Sequence, residues 1–124
     1  MGRYFVIGGR VTEVSSNLNI NQKYYPKNNS WVELAPMPKE RSGVAAVTVD
    51  GNVYVMGGEK ISGSFNELEK YNPKSDSWYV EPEMPTARLG LDAVDLDGKI
   101  YAIGGKTNQS SKSATNVSEI FFPS

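Results

Sequence analysis

The sequence contains no cysteine and no histidine in its 124 residues. Without cysteine there are no disulfides and no thiolate metal sites, and the redox compartment is left open. Without histidine, the commonest general base and the commonest metal ligand are both missing. Neither charge dominates. Thirteen Lys and Arg side chains stand against 14 Asp and Glu, and no block of like charge runs to five residues. That removes the footprint expected for nucleic acid or for a membrane surface. The apolar runs are strand-sized, so no transmembrane helix is expected. The start, Met1-Gly2-Arg3-Tyr4, has no signal-peptide layout. The compartment stays open, with the cytoplasm slightly preferred. The length is that of about one domain. Sequons at Asn28, Asn108 and Asn116 matter only in a secreted protein and are read as chance.

What is present repeats. Tyr4-Phe5-Val6-Ile7 runs into Gly8-Gly9, Val53 to Met56 into Gly57-Gly58, and Ile100 to Ile103 into Gly104-Gly105. Trp31 matches Trp78, Met37-Pro38 matches Met84-Pro85, and Arg41 matches Arg88. Gly43 likewise matches Gly90 and Gly51 matches Gly98, all at an offset of 47. A period of that size marks a repeat architecture.

One unit, Gly43 to Val80, reads as four strands, A to D. Small and β-branched residues from Val44 to Val49 make strand A. Asp50-Gly51 is a tight hairpin signal because glycine supplies positive φ. Strand B ends at Gly57-Gly58, where missing Cβ atoms let a neighbour come close. A polar loop from Glu59 to Ser64 leads to strand C, with Leu68 and Tyr71 as its buried side chains. Asn72-Pro73-Lys74-Ser75-Asp76 is turn chemistry, and Trp78-Tyr79-Val80 is a short strand D. Strands are expected near 3–8, 43–50, 52–58, 66–72, 89–96, 99–105 and 117–122, with short ones at Trp31 and Trp78. No 3.6-residue apolar period points to a helix.

Four-stranded sheets at this interval stack around an axis as a β-propeller. The series Tyr54, Gly57-Gly58, Tyr71-Asn72-Pro73, Trp78, Met84-Pro85, Arg88 resembles the kelch repeat. The likeness covers essentially the whole chain. Phe5 stands where later copies have Tyr54 and Tyr101, and Phe121 where others have Tyr24 and Tyr71. Both keep the ring and drop a hydroxyl. The fold class is therefore all-β, an open arc of about two and a half blades. Residues 1–36 hold strands B, C and D; 37–83 a complete blade; 84–124 strands A, B and C. Met1-Gly2-Arg3 aligns with the A–B turn, and the chain stops before a last strand D. Propellers close with roughly four to eight blades, so the expectation is a piece of a longer protein. Its open edges also offer a route to self-association, although two copies would leave an inner strand missing at two places.

Fixed positions in the repeat read as structural. These are Gly8, Gly9, Gly57, Gly58, Gly104, Gly105, Tyr24, Tyr54, Tyr71, Tyr101, Trp31 and Trp78. The indoles are expected to fill the space between sheets. Arg41 and Arg88 are expected to pair with a carboxylate or a carbonyl of a neighbouring blade. Function is sought where the copies differ. The B–C loops differ most, running Arg10 to about Gln22, Glu59 to Ser64, and Lys106 to Thr115. They share one face with the D–A loops, and loops on a rigid scaffold are the usual home of recognition. Arg10, Lys39, Glu59, Lys60 and Lys106 are the candidate binding residues. Asp92, where the other copy has Ala45, is either a residue of the central channel or an ion-pair partner of Arg88.

The resemblance implies a protein-interaction module with a protein partner and no cofactor. Two other readings stand beside it. One is a fragment of a propeller enzyme acting on sugars, with its catalytic residues elsewhere. The copper sites of such enzymes use histidine and a cysteine-linked tyrosine, which this chain lacks. The other is an extracellular module binding carbohydrate or surface proteins.

Overall fold

The computed structural model describes residues 4–123. Among the described residues there are ten strands in three antiparallel sheets. The first sheet joins β1 (Tyr4–Ile7), β2 (Asn21–Tyr25) and β3 (Ser30–Glu33) in order. The second joins β4 (Ala45–Val49), β5 (Asn52–Met56), β6 (Leu68–Asn72) and β7 (Ser77–Glu81). The third joins β8 (Asp92–Leu96), β9 (Lys99–Ile103) and β10 (Ser118–Phe121). Each sheet is a meander, so the chain is an arc of propeller blades. One short 3₁₀ turn, Val14–Ser16, lies in the first B–C loop.

The hairpins follow from the turn residues. Asp50 and Gly51 have φ of 50° and 81°, and Asp97 and Gly98 have 53° and 77°. Both central residues lie in the left-handed region, as a two-residue turn matched to strand twist requires. The first A–B turn, read at Met1 to Arg3, lies outside the described residues. Strands B stop one to two residues before the expected boundary because the glycines leave the extended region, as at Gly57, where φ is 72°. The first B–C loop ends at Ile20 rather than near Gln22, since β2 already pairs Asn21 with Ile7.

Two apolar layers hold the blades together. Met37, Val53, Val55 and Tyr71 form the core of the first joint, with Phe5, Ile7, Leu34 and Trp78 against it. Tyr54, Met56, Leu68, Met84, Leu91 and Ile100 form that of the second, with Phe121 against it. The ring of strand B in one blade meets that of strand C in the next. Phe5 lies 6.0 Å from Tyr71, and Tyr54 lies 5.9 Å from Phe121. The lost hydroxyl of Phe121 has a visible counterpart. Tyr71 donates to Asp76 at 2.7 Å, and Tyr24 donates to Asn29 at 2.7 Å, each across a C–D turn.

Trp31 departs from the expectation of a core residue. It stacks on Tyr24 at 4.9 Å but is 56% exposed. Among the described residues no sheet packs on its outer side, whereas Trp78 has the first blade. The Trp78 indole N–H donates to the Ala35 carbonyl at 2.8 Å.

Candidate functional site

Each repeated arginine belongs to two blades at once. The Arg41 carbonyl accepts from the Gly9 amide of the first blade at 2.9 Å. Its side chain turns into the second blade. There the guanidinium donates to the carbonyls of Gly57 at 3.0 Å and Glu67 at 2.9 Å, and to the Glu69 carboxylate at 2.7 Å. Arg88 repeats the pattern one joint on. Its carbonyl accepts from Gly58, and its guanidinium donates to Gly104, Val117 and Glu119. Both arginines are fully buried. The side-chain partners are thus in the arginine's own blade, not in the neighbouring blade as expected, because the chain enters strand A directly after the arginine. Of each arginine, only the backbone crosses the joint. A Cβ on Gly8 would sit 2.7 Å from the Arg41 carbonyl oxygen, and one on Gly57 would sit 2.6 Å from that of Arg88. The glycine pairs therefore make room for the next linker.

The buried carboxylate of Glu69 and the part-buried one of Glu119 escaped the sequence reading. Both stand two residues before the strand-C ring, as Glu69…Tyr71 and Glu119…Phe121, and Gln22 holds that place before Tyr24. The longer third loop shifts their spacing from 47 to 50, which hides them from a fixed-offset comparison. Burial pushes the Glu69 carboxyl up from its ordinary value while the Arg41 guanidinium pulls against that shift. Asp92 is not the partner of Arg88. It is exposed on β8, and its carboxylate accepts from the Ala93 amide at 2.8 Å.

The arginines and glycines place the B–C and D–A loops on one face. Arg10, Glu59 and Lys106 occupy one structural position in successive blades, each forming a bridge with its loop's returning segment. They do not stand independently. Arg10 and Glu59 form an ion pair at 2.8 Å between loops one and two. Asn17 donates to the Glu59 carbonyl at 3.0 Å and accepts from Ser42 at 2.6 Å. Gln109 of loop three accepts from the Gly63 amide and donates to the carbonyls of Lys60 and Gly63. The mixed signs that suggested recognition are partly spent on joining the loops. Lys39 reaches Glu67 at 3.3 Å. Lys60 lies 5.1 Å over the Phe65 ring. Lys106 is half-buried, and its backbone exchanges two hydrogen bonds with Leu89.

Two residues on this face were not anticipated. Val11, at the tip of loop one, is 70% exposed, and Ile61, at the tip of loop two, is 77% exposed. For Ile61 the signal was an apolar residue inside an otherwise polar loop, whereas Val11 shares its loop with Val14, Leu18 and Ile20 and had no such signal.

The arrangement has counterparts among known proteins. The family model described as the Kelch motif matches residues 40–85. Kelch-like ECH-associated protein 1A of Danio rerio is 32% identical over 63 residues, 49% of this chain and 10% of its own length. Kelch repeat and BTB domain-containing protein 12 of Danio rerio is 36% identical over 64 residues, 46% of this chain and 10% of its own. Human Kelch-like protein 23 is 35% identical over 60 residues, 48% of this chain and 10% of its own. The chain thus spans about a tenth of the length of the curated relatives it matches. The solved structure of YjhT superposes with a TM-score of 0.67 at 28% identity, over 84% of this chain and 34% of that one. The motif matched over residues 40–85 and the kelch-named relatives support a kelch-repeat family, and the structure is an arc of β-propeller blades.

Proposed function

We propose that the chain acts as a protein-interaction module and that the stitched B–C and D–A loops are its contact face. The observation that carries this reading is the pair of exposed aliphatic tips, Val11 and Ile61, on two loops tied together by the Arg10–Glu59 pair. Aliphatic side chains held out on a rigid polar platform suit a protein surface, with an apolar centre inside a polar rim. Lys60 and Lys106 supply that rim, with the Arg10–Glu59 and Lys39–Glu67 pairs setting its shape. The kelch-named relatives add support, one of them carrying an association in its own name.

The test is affinity capture with the wild-type chain as bait, beside V11D, I61D and the opposite-end variant K74A. Proteins retained by wild type and K74A but lost from both loop variants support the reading. Proteins lost only when Gly51, Asn52 or Lys99 is changed, with fold intact, would move the contact face to the other end of the blades.

A further inference from the structure

The B–C loops of successive blades meet at two junctions, and they are tied differently. Between loops two and three the Gln109 amide accepts from the Gly63 N–H and donates to the Lys60 and Gly63 carbonyls. Ser62 stands at the place of Gln109 in loop two, at the offset of 47, and a serine is too short for such a tie to loop one. The ties between loops one and two lie at the loop bases, from Arg10 to Glu59 and from Asn17 to the Glu59 carbonyl. Beside them a cleft of about 430 Å³ stays open. Phe65 and Ile61 give it an apolar lining, Asn17 and Ser62 a polar one, and Glu40 and Lys60 its charges. That volume suits a small ligand or a few side chains. Exposure decides between them. A small-molecule pocket encloses most of its ligand, whereas Glu40, Lys60, Ile61 and Ser62 are all exposed here. The two charges are also uncommitted. Arg10 pairs with Glu59 and Lys39 with Glu67, but among the described residues neither Glu40 nor Lys60 makes an ion pair. The Lys60 ammonium stands 5.1 Å over the Phe65 ring, next to the apolar lining. At the next junction the same two positions are Ala87 and Thr107, which carry no charge.

We propose that this cleft receives a segment of a partner protein that brings together one apolar, one acidic and one basic side chain. This holds only if the loop face is the contact face proposed above, and it gives that face a chemistry to select. The apolar side chain packs on Ile61 and Phe65, the acidic one pairs with Lys60, and the basic one pairs with Glu40. Charge complementarity singles out that occupant. A segment with charge of one sign would set like charges side by side at one of the two positions. A purely apolar segment would displace water from both charges and leave them unpaired. Opposite charges also fix which way the segment lies, which an apolar contact alone does not do.

The probe is a library of displayed random peptides, selected on the full wild-type chain. The leading peptide is then synthesised, labelled and titrated by fluorescence anisotropy. It should carry an acidic, a basic and an apolar residue. Glu40→Lys and Lys60→Glu should each weaken its binding about tenfold or more. Thermal melts of both variants should match wild type, because the two side chains are exposed. Reversing the acidic residue of the peptide should restore binding to Lys60→Glu but not to Glu40→Lys, and reversing its basic residue should do the converse. Replacing either charged residue of the peptide by an amide should weaken binding to the unaltered chain, which tests the pairing without a protein variant. Lys74→Ala, at the other end of the blades, should leave the affinity unchanged. No enriched peptide would overturn the proposal. So would a leading peptide with charge of one sign only, one that keeps its affinity for both charge-reversed variants, or one whose charges become amides without loss. If such a peptide still needs Val11 and Ile61, the loop face stands as the contact face and only the selectivity of the cleft falls. If it binds V11D and I61D as well as wild type, the contact face lies elsewhere and both fall.

Discussion

Arg41 and Glu69 meet at 2.7 Å with 0% and 3% of their side chains exposed. The pair sits where the second blade's strands B and C separate, and the same guanidinium also holds two carbonyls of that opening. A buried ion pair gains little over an apolar replacement, yet removing one partner strands the other charge. Glu69→Ala should therefore destabilise the chain by about 3–5 kcal/mol. Glu69→Gln, which keeps an acceptor for the guanidinium, should cost less. Urea denaturation of both variants checks the order. Equal midpoints would mean that the carbonyls alone hold Arg41.

The two tryptophans should behave differently despite their equivalent places in the repeat. Trp78→Ala empties a joint and should cost about 3 kcal/mol, at the low end for a lost core aromatic. Trp31→Ala removes a half-stacked, exposed ring and should cost clearly less. Lys60→Ala, on a loop, should stay within about 0.5 kcal/mol. Thermal melts of the three variants test the ranking.

Glycine substitutions separate backbone conformation from crowding. Gly98 has φ of 77° and open space where a Cβ would stand, so Gly98→Ala should cost the ~1–2 kcal/mol of a left-handed alanine. Gly57 has a similar φ of 72°, but its Cβ would sit 2.6 Å from the Arg88 carbonyl and 2.8 Å from Leu91 Cδ2. Gly57→Ala should add an overpacking cost of about 1–3 kcal/mol. Equal losses for the two would mean that the joint yields freely.

Asp76 links the first two blades through pH. Its carboxylate accepts from the Ala35 amide at 2.9 Å and from the Tyr71 hydroxyl, and these hold its pKa below the usual aspartate value. A depressed carboxyl pKa contributes stability above the unfolded value, near about 4, and loses it as pH falls through the folded value. Wild type should therefore lose more stability than Asp76→Asn between about pH 5 and pH 2. Parallel melting curves across that range would show that Asp76 is not coupled to folding.

The fold was legible because its determinants are residue types at fixed spacing. Asp50-Gly51 announced a hairpin, Gly57-Gly58 a close approach, and Trp78 a joint, each by local chemistry that needs no partner to be known. The site was less legible because its determinants are pairs. Arg10 and Glu59 look like independent charges until two loops from different blades are placed side by side. Glu69 and Glu119 look like ordinary strand residues until Arg41 and Arg88 are seen to enter from the linkers. Trp31 shows the opposite limit, where a repeat position predicts burial but only a neighbouring sheet can supply it.

The double allegiance of Arg41 and Arg88 bears on how such a chain changes over evolutionary time. One 47-residue unit contains a socket for the next linker, in its glycine pair, and a plug for the previous socket, in its arginine linker. Duplicating or deleting a whole unit keeps every plug matched to a socket, so blade number can drift without a new interface being invented. A gain or loss of part of a unit breaks that match. Insertions are absorbed most easily between the glycine pair and strand C, where the third copy already runs longer than the second, and there the copies are free to diverge.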